Sequence, residues 1–427
     1  MGSYIVQGGK PLCGKVTASG NKNAALPCIA ATLLTDEPVI LRNIPEIEDV
    51  HIMFKILQDL GSEVLYVEPG VYRIKTQNIS GTIDPCLADL IRASILFAGP
   101  LLNRVGKVVL APPGGDVIGL RRLDTHFLAF AALGAKAIID SDRNIVITTD
   151  GLHGNSIFLD EASVTATENA IMAAVLAKGK TIIRNAASEP HVQDLCALLT
   201  AMGAEITGIG SNLLYIKGVN HLDGADYTIG PDYMEIGSFI GLAAATGGEV
   251  EISGVNIEHF PMIRLGYKKL GITWEETENS IFVPMQQRKK ILTDMSKMMP
   301  KIDDAPWPGF PADLLSIITV VATQMDGVIL VHEKMFESRM FFVDMLIRMG
   351  ANIVLCDPHR AVISGPSKLH GALLTSPDVR AGMALVIAAL SANGMSEIQN
   401  VFQIERGYEA LCGKLSAIGA CIERKPL

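Results

Sequence analysis

Charged side chains stand at the starts of six segments that are otherwise almost entirely apolar: Lys22, Arg92, Glu168, Asp232 with Glu235, Asp313, and Asp378 with Arg380. The first turn of a helix has free N–H groups and a partial positive charge. A cation in that turn opposes the helix dipole and costs energy unless an anion lies beside it. Lys22, Arg92 and Arg380 therefore predict an anionic ligand, whereas Asp232 and Asp378 fit simple helix capping.

Two further arginines occupy matching positions in the two halves of the chain. Arg121 and Arg406 each precede a similar apolar-Gly-Ala sequence by 13 residues. Two such arginines could clamp one doubly anionic ligand between them. A glycine-rich loop, 112–119, comes directly before Arg121. It matches neither a Walker loop nor a dinucleotide fingerprint, so a flexible turn is the alternative interpretation of the loop alone.

A proline-rich segment, 304–313, leads into the apolar segment that begins with Asp313. Its three prolines make the approach stiff, because each fixes one backbone torsion angle. One interpretation is a rigid lead-in that ends in a helix cap. The other is a general base held in a defined position.

The elements that must position these residues form an internal repeat. Glycines end six similar helical patterns, and successive glycines lie 68–79 residues apart: Gly61, Gly134, Gly203, Gly271, Gly350 and Gly419. Each precedes a β-branched run, which is typical of a helix that ends at glycine. Six occurrences at this spacing predict six copies of one structural unit.

Each repeat reads as βαβαββ. The first helix is apolar nearly all round and should be buried, as at 23–34, 166–177, 235–246 and 313–323. A strand follows, as at 39–41, 181–183, 250–252 and 327–331. An amphipathic helix such as 47–60 and a hairpin such as 63–66 with 71–75 complete the repeat. We therefore predict an α/β protein with two inside-out, barrel-like domains of three repeats, in which the sheets face outward.

The chain length fits this organisation, because 427 residues exceed one ordinary domain. Repeats one to three are assigned to a domain at 22–230, which carries the loop near 112–122. Repeats four to six join the N-terminal strand in a domain of 1–21 plus 231–427, which carries Asp313 and Arg406. The chain is expected to cross between them near 19–21 and 230–231, where the sequence is small, polar or turn-like.

Composition excludes several classes of protein. The net charge is −9, which argues against a nucleic-acid partner. No run of 18 apolar residues and no signal sequence occur, so we expect a cytoplasmic protein without a membrane partner. Seven cysteines without paired spacing predict reduced thiols. Nine scattered histidines predict no metal site, and no Gly-x-Ser-x-Gly elbow occurs.

Eight motifs in order give the chain a specific resemblance. They are 21–27, Arg92-Ala93-Ser94-Ile95, the Pro-Gly-Gly-x-x-Ile-Gly loop, 166–169, 308–313, 336–339, 378–381 and 405–409. In these motifs the chain resembles the UDP-N-acetylglucosamine 1-carboxyvinyltransferase family of bacterial enolpyruvyl transferases. The resemblance runs nearly end to end and implies the enolpyruvyl transferase fold of two inside-out domains. The related shikimate-pathway transferase shares that fold, but its signature motifs are not seen.

The resemblance implies a reaction in peptidoglycan synthesis, of which it is the first committed step. The 3-hydroxyl of UDP-N-acetylglucosamine adds to C2 of phosphoenolpyruvate, and phosphate then leaves. Asp313 matches the base, and Asp116 stands at the loop position that donates a proton to C3. Lys22, Arg121 and Arg406 match the cations that hold phosphate and carboxylate. No cofactor is implied, and closure of the domains is expected to exclude water.

The same resemblance assigns substrate binding to a wider set of residues: Lys22, Asn23, Arg92, Arg121, Arg122, Leu123, Asp124, Thr125, Glu161, Ala162, Ser163, Val164, Asp313, Met335, Arg339, Arg380 and Arg406. Uracil and ribose are expected along 121–125, with Arg92 nearby. The catalytic residues implied are Asp116, Asp313, Lys22 and Arg406.

The sequence departs from the family pattern at four positions. Asp116 replaces the usual cysteine, Glu161 the usual lysine beside the diphosphate, Thr165 a glycine and Arg122 a proline. We expect Arg122 to restore the positive charge that Glu161 removes. Two alternatives stay open: an enolpyruvyl transferase that acts on another uridine nucleotide, and a non-catalytic paralogue that binds a UDP-sugar.

Overall fold

The computed structural model describes residues 2–115, 122–293, 295 and 297–426. The described chain folds into two compact lobes. The first lobe comprises 20–115 and 122–230, and the second comprises 2–19 and 231–426. Each lobe has its own continuous core of buried aliphatic and aromatic side chains. No helix in these ranges combines the length and the hydrophobicity needed to cross a bilayer.

Three sheets form the outside of the first lobe. In spatial order their strands are Asp226–Thr228, Val39–Arg42, Val71–Thr76 and Ser62–Glu68; Ser156–Phe158, Lys180–Arg184, Leu213–Lys217 and Glu205–Thr207; and Lys107–Leu110, Ile145–Thr148 and Lys136–Ile139. The two four-stranded sheets combine one parallel pair with an antiparallel hairpin. Inward side chains alternate with outward ones, so each sheet has one face on the core.

The second lobe repeats this arrangement with three four-stranded sheets. Their strands are Cys13–Thr17, Glu249–Ser253, Ser280–Val283 and Glu275–Glu276; Lys301–Asp303, Gly327–His332, Arg360–Gly365 and Asn352–Asp357; and Leu373–Thr375, Met395–Gln399, Gly2–Gln7 and Cys421–Pro426. The N-terminal strand Gly2–Gln7 pairs antiparallel with both Met395–Gln399 and Cys421–Pro426. It takes the place of the last hairpin strand and so completes the sixth repeat.

The first helix of each repeat is buried. These helices are Lys22–Ala31, Ala98–Val105, Val164–Ala174, Tyr233–Thr246, Leu315–Ala322 and Val379–Ser391. Short 3₁₀ turns extend three of them: Thr32–Leu34, Arg92–Phe97 and Ala312–Leu314. In the second lobe the three helices pack on one another. Gly241 permits this close packing, because a Cβ there would lie 2.7 Å from Ile317 and 2.9 Å from the Tyr267 hydroxyl.

The second helix of each repeat is amphipathic or lies between core and solvent. These helices are Glu48–Asp59, Asp124–Ala132, Pro190–Ala201, Pro261–Lys269, Val343–Arg348 and Leu411–Ala417. The remaining short helices are Pro85–Leu90, Ile257–His259, Arg339–Phe342 and Phe402–Glu405. All six repeat glycines follow an amphipathic helix with φ between 75° and 105°, a region that costs glycine little. The predicted fold class is confirmed.

Candidate active site

Lys22 opens the first buried helix of the first lobe. The side chain of Asn21 caps this helix by accepting hydrogen bonds from the backbone N–H groups of Asn23 (2.8 Å) and Ala24 (3.3 Å). The Lys22 ammonium lies 2.6 Å from the Asp49 carboxylate, and both side chains are largely buried. Asp49 thus supplies an anion that offsets the cost of Lys22 at a helix start. Sequence reasoning did not identify Asp49, because it lies in the next helix.

Arg92 opens the second buried segment and holds the chain that follows the glycine-rich loop. Its guanidinium donates a hydrogen bond to the backbone carbonyl of Arg122 at 3.0 Å. The side chain of Arg122 is exposed. Asp116 and Arg121, predicted as proton donor and anion-binding residue, lie outside the described residues.

The two segments predicted to hold the nucleotide, 122–125 and 161–164, are linked by neighbouring side chains. Thr125 donates a hydrogen bond to Asp160 at 2.7 Å. The ring of His126, which is buried, lies 3.1 Å from the Thr165 hydroxyl and 3.1 Å from the Asn169 amide. Burial and the nearby Arg92 lower the pKa of His126 to about 3, so the ring is neutral and serves as a hydrogen-bonding link.

Of the nucleotide residues, Arg122, Asp124 and Glu161 are exposed, whereas Leu123, Ala162, Ser163 and Val164 are half-buried. Ser163 caps the helix Val164–Ala174 through its hydroxyl, which lies 3.5 Å from the backbone nitrogen of Ala166. The hydroxyl of Thr165 points to His126. Its extra bulk relative to glycine is therefore used in packing within the lobe.

Asp313 lies at the centre of the charged cluster in the second lobe. Its two carboxylate oxygens accept one arginine each: Arg339 at 2.7 Å and Arg380 at 2.9 Å. The side chains of both arginines are less than one-tenth exposed, whereas 22% of the Asp313 side chain is exposed. The structure therefore brings three predicted site residues together and leaves the carboxylate accessible.

The two arginines retain buried donors that have no acceptor. These are Nε and Nη1 of Arg339 and Nη1 of Arg380. The guanidinium of Arg339 stacks on the ring of Phe336 at 4.2 Å, and that of Arg380 faces Tyr408 at 5.4 Å. Since an unsatisfied buried charged donor is costly, the cluster is suited to an additional polar or anionic ligand.

The ionisation of Asp313 follows from these neighbours. Burial acts to raise the pKa of Asp313, but the charges and hydrogen bonds of Arg339 and Arg380 outweigh it and hold the pKa below the usual range. The carboxylate is therefore negative at neutral pH. It can accept a hydrogen bond from a hydroxyl group and take its proton as an oxygen–carbon bond forms.

Two other predicted residues lie in the same lobe. Arg406 follows the short helix Phe402–Glu405, is 8% exposed, and lies 5.9 Å from the ring of Phe402. Met335 is exposed, and its backbone N–H donates to Asp304 at 3.1 Å.

Capping explains the acidic residues at the other two helix starts of this lobe. Asp232 accepts hydrogen bonds from the N–H groups of Met234 and Glu235, and Asp378 accepts from those of Arg380 and Ala381. The capping interpretation of both aspartates is confirmed.

Glu235 has a separate role. Its carboxylate accepts from the backbone N–H of Ser19 (2.7 Å) and from the Lys414 ammonium (2.6 Å). Burial raises the pKa of Glu235 although Lys414 acts to lower it. This polar network anchors the end of the N-terminal segment 2–19.

Solved structures with the same architecture are enolpyruvyl transferases. The structure of the enolpyruvyl transferase NikO from Streptomyces tendae has a TM-score of 0.88 at 21% identity, with 99% of each chain covered. An EPSP synthase from Acinetobacter baumannii has a TM-score of 0.77 at 17% identity over the full length of both chains. The model of the family described as EPSP synthase (3-phosphoshikimate 1-carboxyvinyltransferase) matches residues 6–415. The fold, the site residues and this family match together place the chain in the class of enolpyruvyl transferases.

Sequence relatives narrow the class. A UDP-N-acetylglucosamine 1-carboxyvinyltransferase of Treponema denticola is 60% identical over the full length of both chains. Proteins of the same name from Borreliella burgdorferi and Bradyrhizobium diazoefficiens are 59% and 54% identical, with 98–99% of each chain covered. The chain belongs to the UDP-N-acetylglucosamine 1-carboxyvinyltransferase family, within the wider EPSP synthase family.

Proposed function

We propose that the protein transfers the enolpyruvyl group of phosphoenolpyruvate to the 3-hydroxyl of UDP-N-acetylglucosamine and releases phosphate. The observation that carries this proposal is the Asp313–Arg339–Arg380 cluster in a chain that is 60% identical to a transferase of that name. The cluster offers an ionised, accessible carboxylate together with unsatisfied cationic donors. The reaction is the first committed step of peptidoglycan synthesis and is proposed to take place in the cytoplasm.

In the addition step, the sugar hydroxyl attacks C2 of phosphoenolpyruvate while Asp313 accepts the hydroxyl proton. C3 takes a proton at the same time, which gives a tetrahedral adduct that still carries the phosphate. In the elimination step, C3 loses a proton and the bond between C2 and the phosphate oxygen breaks. Because the pKa of Asp313 is low, proton transfer to it must accompany formation of the carbon–oxygen bond.

Asp116 is proposed as the acid that protonates C3. A carboxyl group does this near neutral pH only if its pKa is raised by burial or by nearby negative charge. The positive charge of Arg121, five residues along the chain, would act in the opposite direction. The charges of bound phosphoenolpyruvate would oppose that effect and keep Asp116 protonated.

Lys22, Arg121 and Arg406 are proposed to bind the phosphate and carboxylate of phosphoenolpyruvate. The contact between Lys22 and Asp49 supports this role, because Asp49 holds the ammonium at the helix start. The partial positive charge at that helix start adds to the attraction for an anion.

Phosphate release tests the reaction and the acceptor together. We expect release with phosphoenolpyruvate and UDP-N-acetylglucosamine, and none above background with UMP or shikimate 3-phosphate. Asp116→Ala should abolish turnover by removing the acid. Release with UMP alone would favour a different nucleotide acceptor. Tight binding of UDP-N-acetylglucosamine without turnover in the unmodified protein would favour a non-catalytic role.

A further inference from the structure

Two buried carboxyl groups meet where a pair of parallel strands ends in the second lobe. The strands are Lys301–Asp303 and Gly327–His332, which pair along their last three residues. The next residue of each strand is acidic: Asp304 is 0% exposed, and Glu333 is 1% exposed. Burial and the neighbouring Asp304 raise the pKa of Glu333 to about 9, so Glu333 carries a proton at neutral pH, and its buried Oε2 atom has no hydrogen-bond partner.

The carboxyl pair holds three consecutive backbone N–H groups. Asp304 accepts hydrogen bonds from Lys334 at 2.5 Å and from Met335 at 3.1 Å. Glu333 accepts one from Phe336 at 3.2 Å. The turn that follows the strand Gly327–His332 lies beyond the end of the sheet. Side chains therefore hold its backbone N–H groups.

This turn supports the residues that hold the candidate base. The ring of Phe336 lies 4.2 Å from the Arg339 guanidinium, and Arg339 lies 2.7 Å from Asp313. A shift of the Phe336 backbone would move the ring on which the guanidinium rests. The direction of the ion pair to Asp313 would change with it.

The proline-rich segment that follows Asp304 is also held in place, by hydrogen bonds between its own backbone groups. Ala305 donates a backbone hydrogen bond to Phe310 at 3.1 Å, and Gly309 donates one to Pro306 at 2.8 Å. These bonds tie the proline-rich loop together just before Asp313. Asp304 therefore stands at the base of both segments, one carrying Asp313 and the other carrying Arg339.

We propose that Asp304 and Glu333 form a positioning pair, which holds residues 334–336 in the conformation that lets Arg339 grip Asp313. This inference rests on the proposed function, because Asp313 is proposed there to accept the proton of the acceptor hydroxyl. Neither carboxyl group is a catalytic residue in this proposal. Both act through Arg339 and the exposed Met335.

The proton of the pair makes the arrangement sensitive to alkaline pH. Burial raises the pKa of Glu333 to about 9, with contributions from the neighbouring Asp304 and from the negative charge of Asp313; Arg339 acts in the opposite direction. A cavity of about 250 Å³ beside the pair is lined by Glu333 and by further titratable or charged residues: His332, Lys334, Asp357, His359 and Arg360. Loss of the proton places two carboxylates in contact and weakens the hold on the turn.

Three variants test the pair through turnover. Glu333→Gln keeps one donor and one acceptor without a titrating proton, Glu333→Ala removes both, and Glu278→Gln changes an exposed glutamate of the same lobe. We expect Glu333→Ala to lower kcat/KM for the acceptor at least about tenfold, with the KM for phosphoenolpyruvate unchanged. Glu333→Gln and Glu278→Gln should match the unmodified protein at pH 7. Above pH 9, only Glu333→Gln should retain its kcat/KM for the acceptor.

Hydrogen–deuterium exchange tests whether the carboxyl pair holds residues 334–336, without using turnover. The backbone amides of 334–336 should exchange faster in Glu333→Ala than in the unmodified protein. Between pH 7 and 9.5 they should exchange faster in the unmodified protein than in Glu333→Gln at each matched alkaline pH. Equal exchange in all variants would overturn the positioning role. The Glu333→Gln comparison decides the matter if Glu333→Ala does not fold.

The two experiments separate the inference from the proposed function. Absence of phosphate release in the unmodified protein would refute the proposed function, whereas the exchange rates would still report on the carboxyl pair. Normal phosphate release by Glu333→Ala, with an unchanged KM for UDP-N-acetylglucosamine, would overturn the inference and leave the proposed function intact.

Discussion

Two carboxyl groups near the starts of buried helices show how neighbours decide ionisation. Glu168 lies in the first-lobe helix Val164–Ala174 and is 1% exposed; its Oε1 atom has no hydrogen-bond partner. Burial raises the pKa of Glu168 well above the usual value, and Glu189 adds to the effect. Asp313 lies in the 3₁₀ turn Ala312–Leu314 at the start of a buried segment of the second lobe, but two arginines hold its pKa low. One carboxyl group is therefore neutral and structural, and the other is negative and available to a ligand.

The difference teaches that residue type and helix position do not by themselves identify a catalytic carboxylate. Both groups sit near a helix N-terminus, where the dipole favours negative charge. That effect is modest next to complete burial without a cation. Arg339 and Arg380 supply the cations for Asp313. The partners of a carboxyl group, more than its own place in the helix, therefore distinguish scaffold from site.

Replacing each carboxyl group by its amide gives the largest expected contrast. Asp313→Asn should lower kcat for phosphate release by roughly 10²–10⁴-fold, because a positioned general base contributes about that much. Glu168→Gln should leave kcat within about twofold, since the neutral side chain it replaces takes no part in proton transfer. Steady-state kinetics with both substrates saturating measures the two values.

The contrast between Asp313 and Glu168 is contradicted if Asp313→Asn and Glu168→Gln change kcat to the same extent. A kcat for Asp313→Asn close to that of the unmodified protein would remove Asp313 as the base. A loss in Glu168→Gln as large as that in Asp313→Asn would show that Glu168 takes part in the reaction. Circular dichroism on both variants checks that the fold is kept.

Asp116 is another carboxyl group of the proposed site. It stands at the position where the family usually has a cysteine thiol. Fosfomycin, an epoxide phosphonate, alkylates the loop cysteine of family members, and an aspartate lacks that nucleophile. We expect no covalent adduct by intact mass and no loss of phosphate release on incubation with fosfomycin. Asp116→Cys is the matched control and should gain both the adduct and the inhibition. A stable adduct on the unmodified protein would contradict the prediction.

The pH dependence of protein stability gives a smaller contrast, in which the Glu168 and Asp313 variants respond in opposite directions. The folded pKa of Glu168 is raised, so its favourable contribution is complete below the usual glutamate pKa and is lost as pH rises. The folded pKa of Asp313 is lowered, so its contribution is present above the usual aspartate pKa and is lost as pH falls. Glu168→Gln should therefore gain stability relative to the unmodified protein as pH rises from 5 to 9.

Asp313→Asn should show the reverse trend. It should be less stable than the unmodified protein at pH 7, and the gap should narrow as pH falls below about 4. Thermal unfolding in matched buffers measures both differences as shifts in Tm. Parallel shifts in the two variants would mean that the carboxyl groups share one ionisation state, which would contradict the contrast drawn from their neighbours.

Much of the fold could be predicted from the sequence because its signals are local and repeated. Each of the six repeat glycines follows its helix with positive φ, and the buried helices have no polar face. Helix ends were less exact. The segment predicted at 313–323 is a 3₁₀ turn, Ala312–Leu314, followed by the helix Leu315–Ala322.

The supporting residues of the site could not be predicted, because their partners are remote in sequence. Asp49 pairs with Lys22 from the next helix, and Asp304 bonds to residues 30 and 31 positions away. His126 joins the two segments that are predicted to bind the nucleotide, through a contact with Thr165, which is 39 residues away in sequence. No periodicity or short motif records such pairs. Only the folded chain shows which buried charges have partners.

Arg122 provides the smallest expected effect and extends the comparison to the first lobe. Glu161 is a third kind of carboxyl group, exposed and near the proposed diphosphate site, where it would repel the ligand. The exposed Arg122, on the neighbouring segment, is expected to offset that repulsion. Arg122→Ala should raise the KM for UDP-N-acetylglucosamine about two- to fivefold, as expected for one exposed charge, with kcat unchanged. Lys136→Ala, which removes an exposed cation elsewhere in the lobe, is the control. An equal KM in both variants would mean that Glu161 faces away from the nucleotide and needs no compensating charge.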